Sequence, residues 1–217
     1  YSLILMSSQK LICARDPYGF RPLCYGINED GMYVVASESC ALKAVGVSFV
    51  RDIENGEIVI FSEDGVVSRK EHCKTKKKKT CIFEYIYFAR GDSVIDGISV
   101  HHSRKEAGRL LAKYHPVDGD VVIGVPDSGI DAALGYSQES KIPYEIGFIK
   151  NKYIGRTFIS PGQSSRLNQV KIKLSVIEEN VRGKRVILID DSIVRGTTSG
   201  LIVKLLKEAG AKEVHIR

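Results

Sequence analysis

The chain reads as an α/β protein, a parallel sheet with helices on both faces, preceded by a β-rich portion with little helix. Three observations carry this reading. Val186, Ile187, Leu188 and Ile189 form an apolar, mostly β-branched run that is too short for a helix and too continuous for a half-exposed strand, as in buried parallel strands. Val121 to Ser128 (VVIGVPDS) repeats that pattern. Residues 1 to about 72, by contrast, break into short strand-like runs, and only beyond residue 80 do strand and helix patterns alternate.

At 217 residues, with 43% hydrophobic and 27% charged side chains, the chain is long enough for one large or two small domains with real cores. It shows no signal-peptide pattern and no apolar run of membrane-spanning length, so a cytoplasmic protein without a membrane partner is expected. The five cysteines (Cys13, Cys24, Cys40, Cys73, Cys81) are odd in number and never at C-x-x-C spacing, which argues against a disulfide framework or a self-contained zinc site. Much of the local positive excess behind the net charge of +6 sits in Lys74 and Lys76 to Lys79. That run lacks interleaved aromatics and reads as a solvated linker, so no nucleic-acid partner is expected.

In the first portion, Ser2–Met6, Leu11–Ala14, Tyr33–Ala36 and Glu57–Phe61 are strand-like. Turns are expected at Asp16-Pro17, Asn28 to Gly31, Asn55-Gly56 and Asp64-Gly65. Arg15, Asp16 and Arg21 read as a buried or turn-forming ion-pair cluster. The lysine run marks a domain boundary, giving units 1–79 and 80–217. Cys81 then precedes an aromatic run, CIFEYIYFAR, that reads as a strand, and a lone cysteine there is ordinarily a small buried hydrophobe. Ser103 and Glu106 have capping-box spacing and predict a helix start, with the helix running through Leu110 and Leu111.

The VVIGVPDS strand is followed by a helix over Ile130–Ser140 and a third strand over Tyr144–Ile149. Asp127-Ser128 alone reads equally well as a helix cap. Lys150 to Leu174 is long, polar and basic, and insertions of that kind in compact domains are functional or mobile. The Val186–Ile189 strand ends on Asp190 and Asp191, then passes through Ser192, Ile193, Val194, Arg195, Gly196, Thr197 and Thr198 into a helix. Leu201, Ile202, Leu205, Leu206 and Ala209 share one helical face, with Gly210 at the stop. A last strand covers Glu213–Ile216.

A glycine- and hydroxyl-rich loop at a helix start offers free N–H groups and the positive end of the helix dipole, which suits a phosphate. Paired carboxylates suit sugar hydroxyls or a hard cation such as Mg2+. Together they point to a phosphorylated sugar. Neither a P-loop nor a G-x-G-x-x-G competes for the site. Each residue alone also has a plain structural reading, as a strand end or a helix cap.

IDDSIVRGTTS resembles the phosphoribosyl pyrophosphate (PRPP) binding motif of type I phosphoribosyltransferases, in the wording of the amidophosphoribosyltransferases. ARDPYGFRPL and VVASESCAL resemble the later part of the N-terminal-nucleophile glutaminase domain of the same enzymes, and Lys150–Leu174 resembles their active-site loop. The resemblance implies a type I phosphoribosyltransferase-like fold over residues 80–217 and part of a glutaminase domain over residues 1–79. It implies PRPP contacts at Lys150, Thr157, Asp190, Asp191 and Ser192 to Thr198, with Arg156 and Lys173 bringing catalytic cations to the diphosphate. It implies Mg2+ at Ser128, Asp190 and Asp191. In a subset of the family Cys81 would be one of four ligands of a 4Fe-4S cluster, the other three lying outside this chain. The implied partners are PRPP and ammonia released from glutamine, in a homo-oligomer (dimer or tetramer). No cysteine here can serve as the glutaminase nucleophile, so glutamine hydrolysis is not assigned to these residues. A regulator that binds PRPP without catalysis is the alternative.

Overall fold

The computed structural model describes residues 1–73, 76–151, 174–194 and 196–217. Its backbone divides into two compact units, Tyr1–Ser103 and Arg104–Arg217.

In the first unit, β1 (Ser2–Met6), β2 (Lys10–Arg15), β6 (Ile58–Ser62) and β7 (Gly65–Arg69) form an antiparallel sheet in the order β1-β2-β6-β7. A second antiparallel sheet has the order β4-β3-β5, from β3 (Cys24–Ile27), β4 (Tyr33–Ala36) and β5 (Ser48–Asp52). Cys13, Leu23, Tyr25, Ile53, Val59 and Phe61 bury a shared core between them. Tyr25 and Tyr33 both pack their rings on Phe61, at centroid distances of 5.1 and 4.7 Å. The short helix α1 (Ser39–Ala44) covers the outer face of the second sheet through Leu42, against Cys24 and Val47.

The ion-pair cluster expected among Arg15, Asp16 and Arg21 forms with other partners. Arg15 is 2% exposed, and all five of its guanidinium N–H donors are used. Two go to Asp96 at 2.7 and 2.9 Å, and three go to the carbonyls of Gly19, Arg21 and Ile53. Arg21 pairs with the buried Glu84 at 2.7 Å, while Asp16 caps its own turn by accepting the N–H groups of Tyr18 and Phe20. Both acids therefore come from beyond the lysine run. They fasten residues 80–103 to the first unit, which is why the compact division falls at Ser103 rather than near residue 79.

CIFEYIYFAR is not a strand. Glu84–Phe88 forms one turn of π-helix, closed by the Ala89 N–H on the Glu84 carbonyl at 3.1 Å. The buried Glu84 side chain faces Arg21, and a five-residue turn lets it do so while Tyr85 joins Ala89, Ile95 and Val100. A two-residue hairpin, β8 (Val94–Ile95) and β9 (Ile98–Ser99), leads into α2 (Val100–Tyr114). Ser103 does not open this helix. Ser99 does, its hydroxyl accepting the His102 N–H at 3.3 Å.

In the second unit, β10 (Val121–Gly124), β13 (Arg185–Ile189) and β14 (Glu213–Ile216) form a parallel sheet in that order. Strand alternation assigns the side chains. Val121, Ile123, Val186 and Leu188 face a core completed by Ile202 and Leu206 of α5 (Thr197–Glu208) and Val181 of α4 (Glu178–Val181). Val122, Ile187 and Ile189 face the opposite core, with Ala112 of α2 and Ala133 and Tyr136 of α3 (Gly129–Ser140). The helices thus cover both faces. Each fully buried aliphatic of β13 gains roughly 1.5–3 kcal/mol from leaving water.

The third strand expected over Tyr144–Ile149 is not built that way. Tyr144 makes a single parallel bridge to Val122, and the chain then leaves the sheet. Phe148–Lys150 (β11) pairs antiparallel with Leu174–Val176 (β12) instead. The departure follows Gly147, where an added Cβ would stand 2.5 Å from the Ile123 side chain, so the backbone crosses tightly over the sheet.

Helices α2 and α3 touch backbone to backbone. A Cβ at Gly135 would lie 1.8 Å from the Lys105 carbonyl, and one at Gly108 would lie 1.9 Å from the Ala132 carbonyl. Neither neighbour is a flexible side-chain end. Gly135→Ala is therefore expected to lower stability by about 1–3 kcal/mol despite the better helix propensity of alanine. Urea denaturation of the two proteins measures the difference, and an equal or higher midpoint for the variant would contradict the close crossing.

Candidate functional site

The site is built where β10 and β13 end. Their register pairs Gly124 with Ile189, so the turns that follow, Val125–Ser128 and the one that begins at Asp190 and Asp191, leave the sheet side by side. The Val125 N–H donates to the Ile189 carbonyl at 2.9 Å, extending the pairing one residue past the strands. The Pro126-Asp127 peptide is cis.

This juxtaposition gathers four of the residues singled out from the sequence. Ser128 Oγ donates to Asp191 Oδ2 across the two turns, and Ser192 Oγ donates to Asp191 Oδ1 at 2.6 Å. Asp190 Oδ1 accepts the Asp191 N–H at 3.0 Å. The plain capping role considered for Asp127-Ser128 is not realised, because no side chain caps α3 and the Ser128 hydroxyl is spent on Asp191.

The same holds at α5. Its N-cap is Gly196, at φ 69 and ψ −16, with no side-chain cap. Thr197 and Thr198 lie inside the first turn and are exposed. The left-handed backbone favours glycine, and a residue without a side chain leaves the first N–H groups of the helix open. Ile193 and Val194 of the loop are 62% and 83% exposed, an unusual setting for aliphatic residues. Lys150, at the end of β11, contacts Asp127 Oδ2 with its ammonium group, which brings a cation beside the first turn. The sequence suggested Lys150. The role of Asp127 as its partner was missed, since the two are 23 residues apart with no local pattern to link them. Arg156, Thr157, Lys173 and Arg195 lie outside the described residues.

Electrostatics set the character of the site. Burial, and then the charge of Asp191, push the Asp190 carboxyl up to about 6, against a smaller opposing effect of its backbone hydrogen bond. Among the described residues no positive group offsets this rise. The donors at this point are all oxygen, two carboxylates and a hydroxyl, which fits Mg2+, an ion that takes one or two protein carboxylates and leaves its other positions to water and phosphate. Among the described residues no group of three or more His, Cys, Asp or Glu gathers as a metal cage. Cys81 lies in the first unit, half-buried, with its N–H on the Phe20 carbonyl at 3.0 Å, and a single cysteine does not make an iron–sulfur site. No disulfide joins any of the five cysteines, and no helix of the described residues is long and apolar enough to cross a membrane.

Fold and site together define an open α/β protein whose candidate site lies at the carboxyl ends of adjacent parallel strands. The phosphoribosyl transferase domain model matches residues 99–217, and the chain belongs to that family. It is 54% identical over 217 residues to the amidophosphoribosyltransferase of Archaeoglobus fulgidus, covering all of this chain and 47% of that protein. Two solved structures superpose over the whole chain at 50% identity. A structure of the allosteric regulatory enzyme of purine biosynthesis gives a TM-score of 0.90 with 46% of that chain covered. A glutamine PRPP amidotransferase from B. subtilis complexed with ADP and GMP gives 0.89 with 47% covered. The chain thus spans about half the length of the relatives it matches.

The raised Asp190 pKa makes a stability prediction. Its carboxyl titrates near 6 when folded and near 3.8 when unfolded, so ionising it in the folded state opposes folding above that window. Below about pH 4 both states are protonated and the penalty vanishes. Asp190→Asn should therefore stabilise the ligand-free protein by about 1–3 kcal/mol at pH 7, with the gain fading as pH falls toward 4. Denaturation midpoints across that range test it, and a pH-independent effect would contradict the assigned cause.

Proposed function

We propose that this chain carries the PRPP-binding transferase part of an amidophosphoribosyltransferase. The complete protein would convert PRPP, glutamine and water to 5-phosphoribosylamine, glutamate and diphosphate. The observation that carries this reading is the meeting of Ser128 with Asp191 beside an α5 start left open by Gly196. The names of the relatives support the same reading and give none to a non-catalytic regulator.

In this proposal Asp190 and Asp191 accept hydrogen bonds from the ribose hydroxyls, and the turn Ser192–Thr198 receives the 5′-phosphate on its N–H groups and the free Thr197 and Thr198 hydroxyls. The open N–H groups and the hydroxyls of α5 suit an anion, and the half-buried acids suit hydroxyl donors. Ammonia derived from glutamine attacks C1 of the sugar as diphosphate leaves. Positive charge then develops on the ring and negative charge on the leaving group, so groups fixed around each lower the barrier. Mg2+, held by Asp190, Asp191 and Ser128, would neutralise part of the diphosphate charge. Lys150, Arg156, Thr157, Arg195 and Lys173 are assigned to PRPP and its diphosphate on sequence resemblance. Residues 1–79 are assigned to part of a glutaminase domain on the same basis. A 4Fe-4S cluster using Cys81 belongs to the proposal only with ligands from outside these residues. A cytoplasmic setting agrees with five cysteines and no disulfide.

The test is calorimetric titration of PRPP with MgCl2 into wild type and into the Asp190→Asn, Asp191→Asn double variant. The variant should lose about a hundredfold or more in affinity, as two charge-assisted hydrogen-bonding groups are removed. Unchanged binding would sink the assignment of this site.

A further inference from the structure

The Lys150 ammonium rests on Asp127, one residue from Ser128 and hence at the edge of the candidate site. Among the described residues the Asp127 carboxylate has no other hydrogen-bond or ion-pair partner, and it does not cap α3. It is 73% exposed, whereas Lys150 is 33% exposed. Such a pair does little for the fold, since ion pairs in water are weak. Weakness is what allows it to be exchanged.

We propose that Asp127 is a positioning residue that acts through Lys150 as an internal competitor for the diphosphate of the substrate. The carboxylate holds the ammonium at the rim of the site. A diphosphate carries more negative charge than one carboxylate and draws the ammonium away, so binding exchanges one partner of Lys150 for another. The exchange tunes affinity downward, which favours release of diphosphate, and it makes the site selective. A ligand with a ribose 5-phosphate but no diphosphate does not disturb the pair. This inference rests on the PRPP reading above.

Two routes by which Asp127 weakens anion binding must be separated: competition for Lys150 and simple charge repulsion of the ligand. Repulsion persists when Lys150 is gone, and competition does not. The experiment is titration of sodium diphosphate, of PRPP and of ribose 5-phosphate, each with MgCl2, into the protein at its natural length. Wild type, Asp127→Asn, Lys150→Met and the double variant are compared, with thermal midpoints recorded for each. Asp127→Asn should bind diphosphate and PRPP tighter by roughly two- to fivefold, the range spanned by one exposed ion pair. Lys150→Met should bind both more weakly, and the gain from Asp127→Asn should largely disappear in the Lys150→Met background. Ribose 5-phosphate binding should be the same in wild type and Asp127→Asn.

Weaker or unchanged diphosphate binding by Asp127→Asn overturns the proposal, as does an equal gain in both backgrounds, which would mean repulsion alone. If Asp127→Asn loses cooperative unfolding, Asp127→Ser serves in its place under the same criteria. A wild type that binds neither PRPP nor diphosphate removes the PRPP reading itself, whereas a wild type that binds both without this pattern removes only the role of Asp127.

Discussion

The parallel pairing of Val121–Gly124 with Arg185–Ile189 fixes the candidate site, because it decides which two turns emerge together. Ser128 and Asp191 are 63 residues apart in sequence and meet only through that register. A strand pairing shifted by one residue would turn every side chain of the pair to the other face. It would place Val186 and Leu188 where Ile187 and Ile189 now contact α3, and would move Ser128 away from its acid. The strands tolerate no such slip because both faces are filled: Val186 through Ile189 are all 1% exposed or less. Packing that serves stability thereby sets the placement of the polar groups.

Charge is distributed unevenly around those turns. The first ends on an exposed aspartate that holds Lys150 and on a serine, and the second begins on two acids that, among the described residues, share no cation with the first. Burial pushes Asp190 up to about 6, so its charge at neutral pH is held at a cost that a partner bringing positive charge or hydroxyl donors would relieve. Thr197 and Thr198, by contrast, sit at the positive end of α5 without a capping duty. An acidic end and an anion-seeking end thus stand on one loop, separated by Ser192–Gly196, a spacing suited to a ligand with hydroxyls at one place and phosphate at another.

What the sequence disclosed was local. The apolar run of β13, the acids that end it, the glycine and threonines after it and the 3.6-residue periodicity of α5 all sit within a few residues of one another, so pattern alone places them. The helix over Ile130–Ser140 was legible for the same reason. Misreadings occurred where a distant partner decides the structure. Arg15 and Asp96 are 81 residues apart, and no local signal announced that residues 80–103 pack with the first unit. An aromatic run became a π-turn because Glu84 is held by Arg21, and Ser103 lost the helix start to Ser99 because the β8–β9 hairpin delivers the chain earlier. Tyr144–Ile149 carried strand propensity, yet only its first residue stays beside Val122 before the backbone crosses Ile123.

The two plain alternatives at the site, helix capping by Ser128 and by Thr197 or Thr198, are decided by where hydroxyls and N–H groups are used. A capping side chain satisfies N–H groups at a helix start, and a site built to receive an anion must leave them unsatisfied. Both α3 and α5 begin without a side-chain cap: Ser128 stands at the N-cap of α3 and Gly196 at that of α5, with Thr197 and Thr198 already inside the first turn. Stability alone favours capping, since a cap is worth about 0.5–2 kcal/mol. Ser128 is turned to Asp191 instead, and α5 starts from a left-handed glycine with no side chain to offer. Helix starts left uncapped in this way can take acceptors from a ligand, which is what the proposed phosphate site requires.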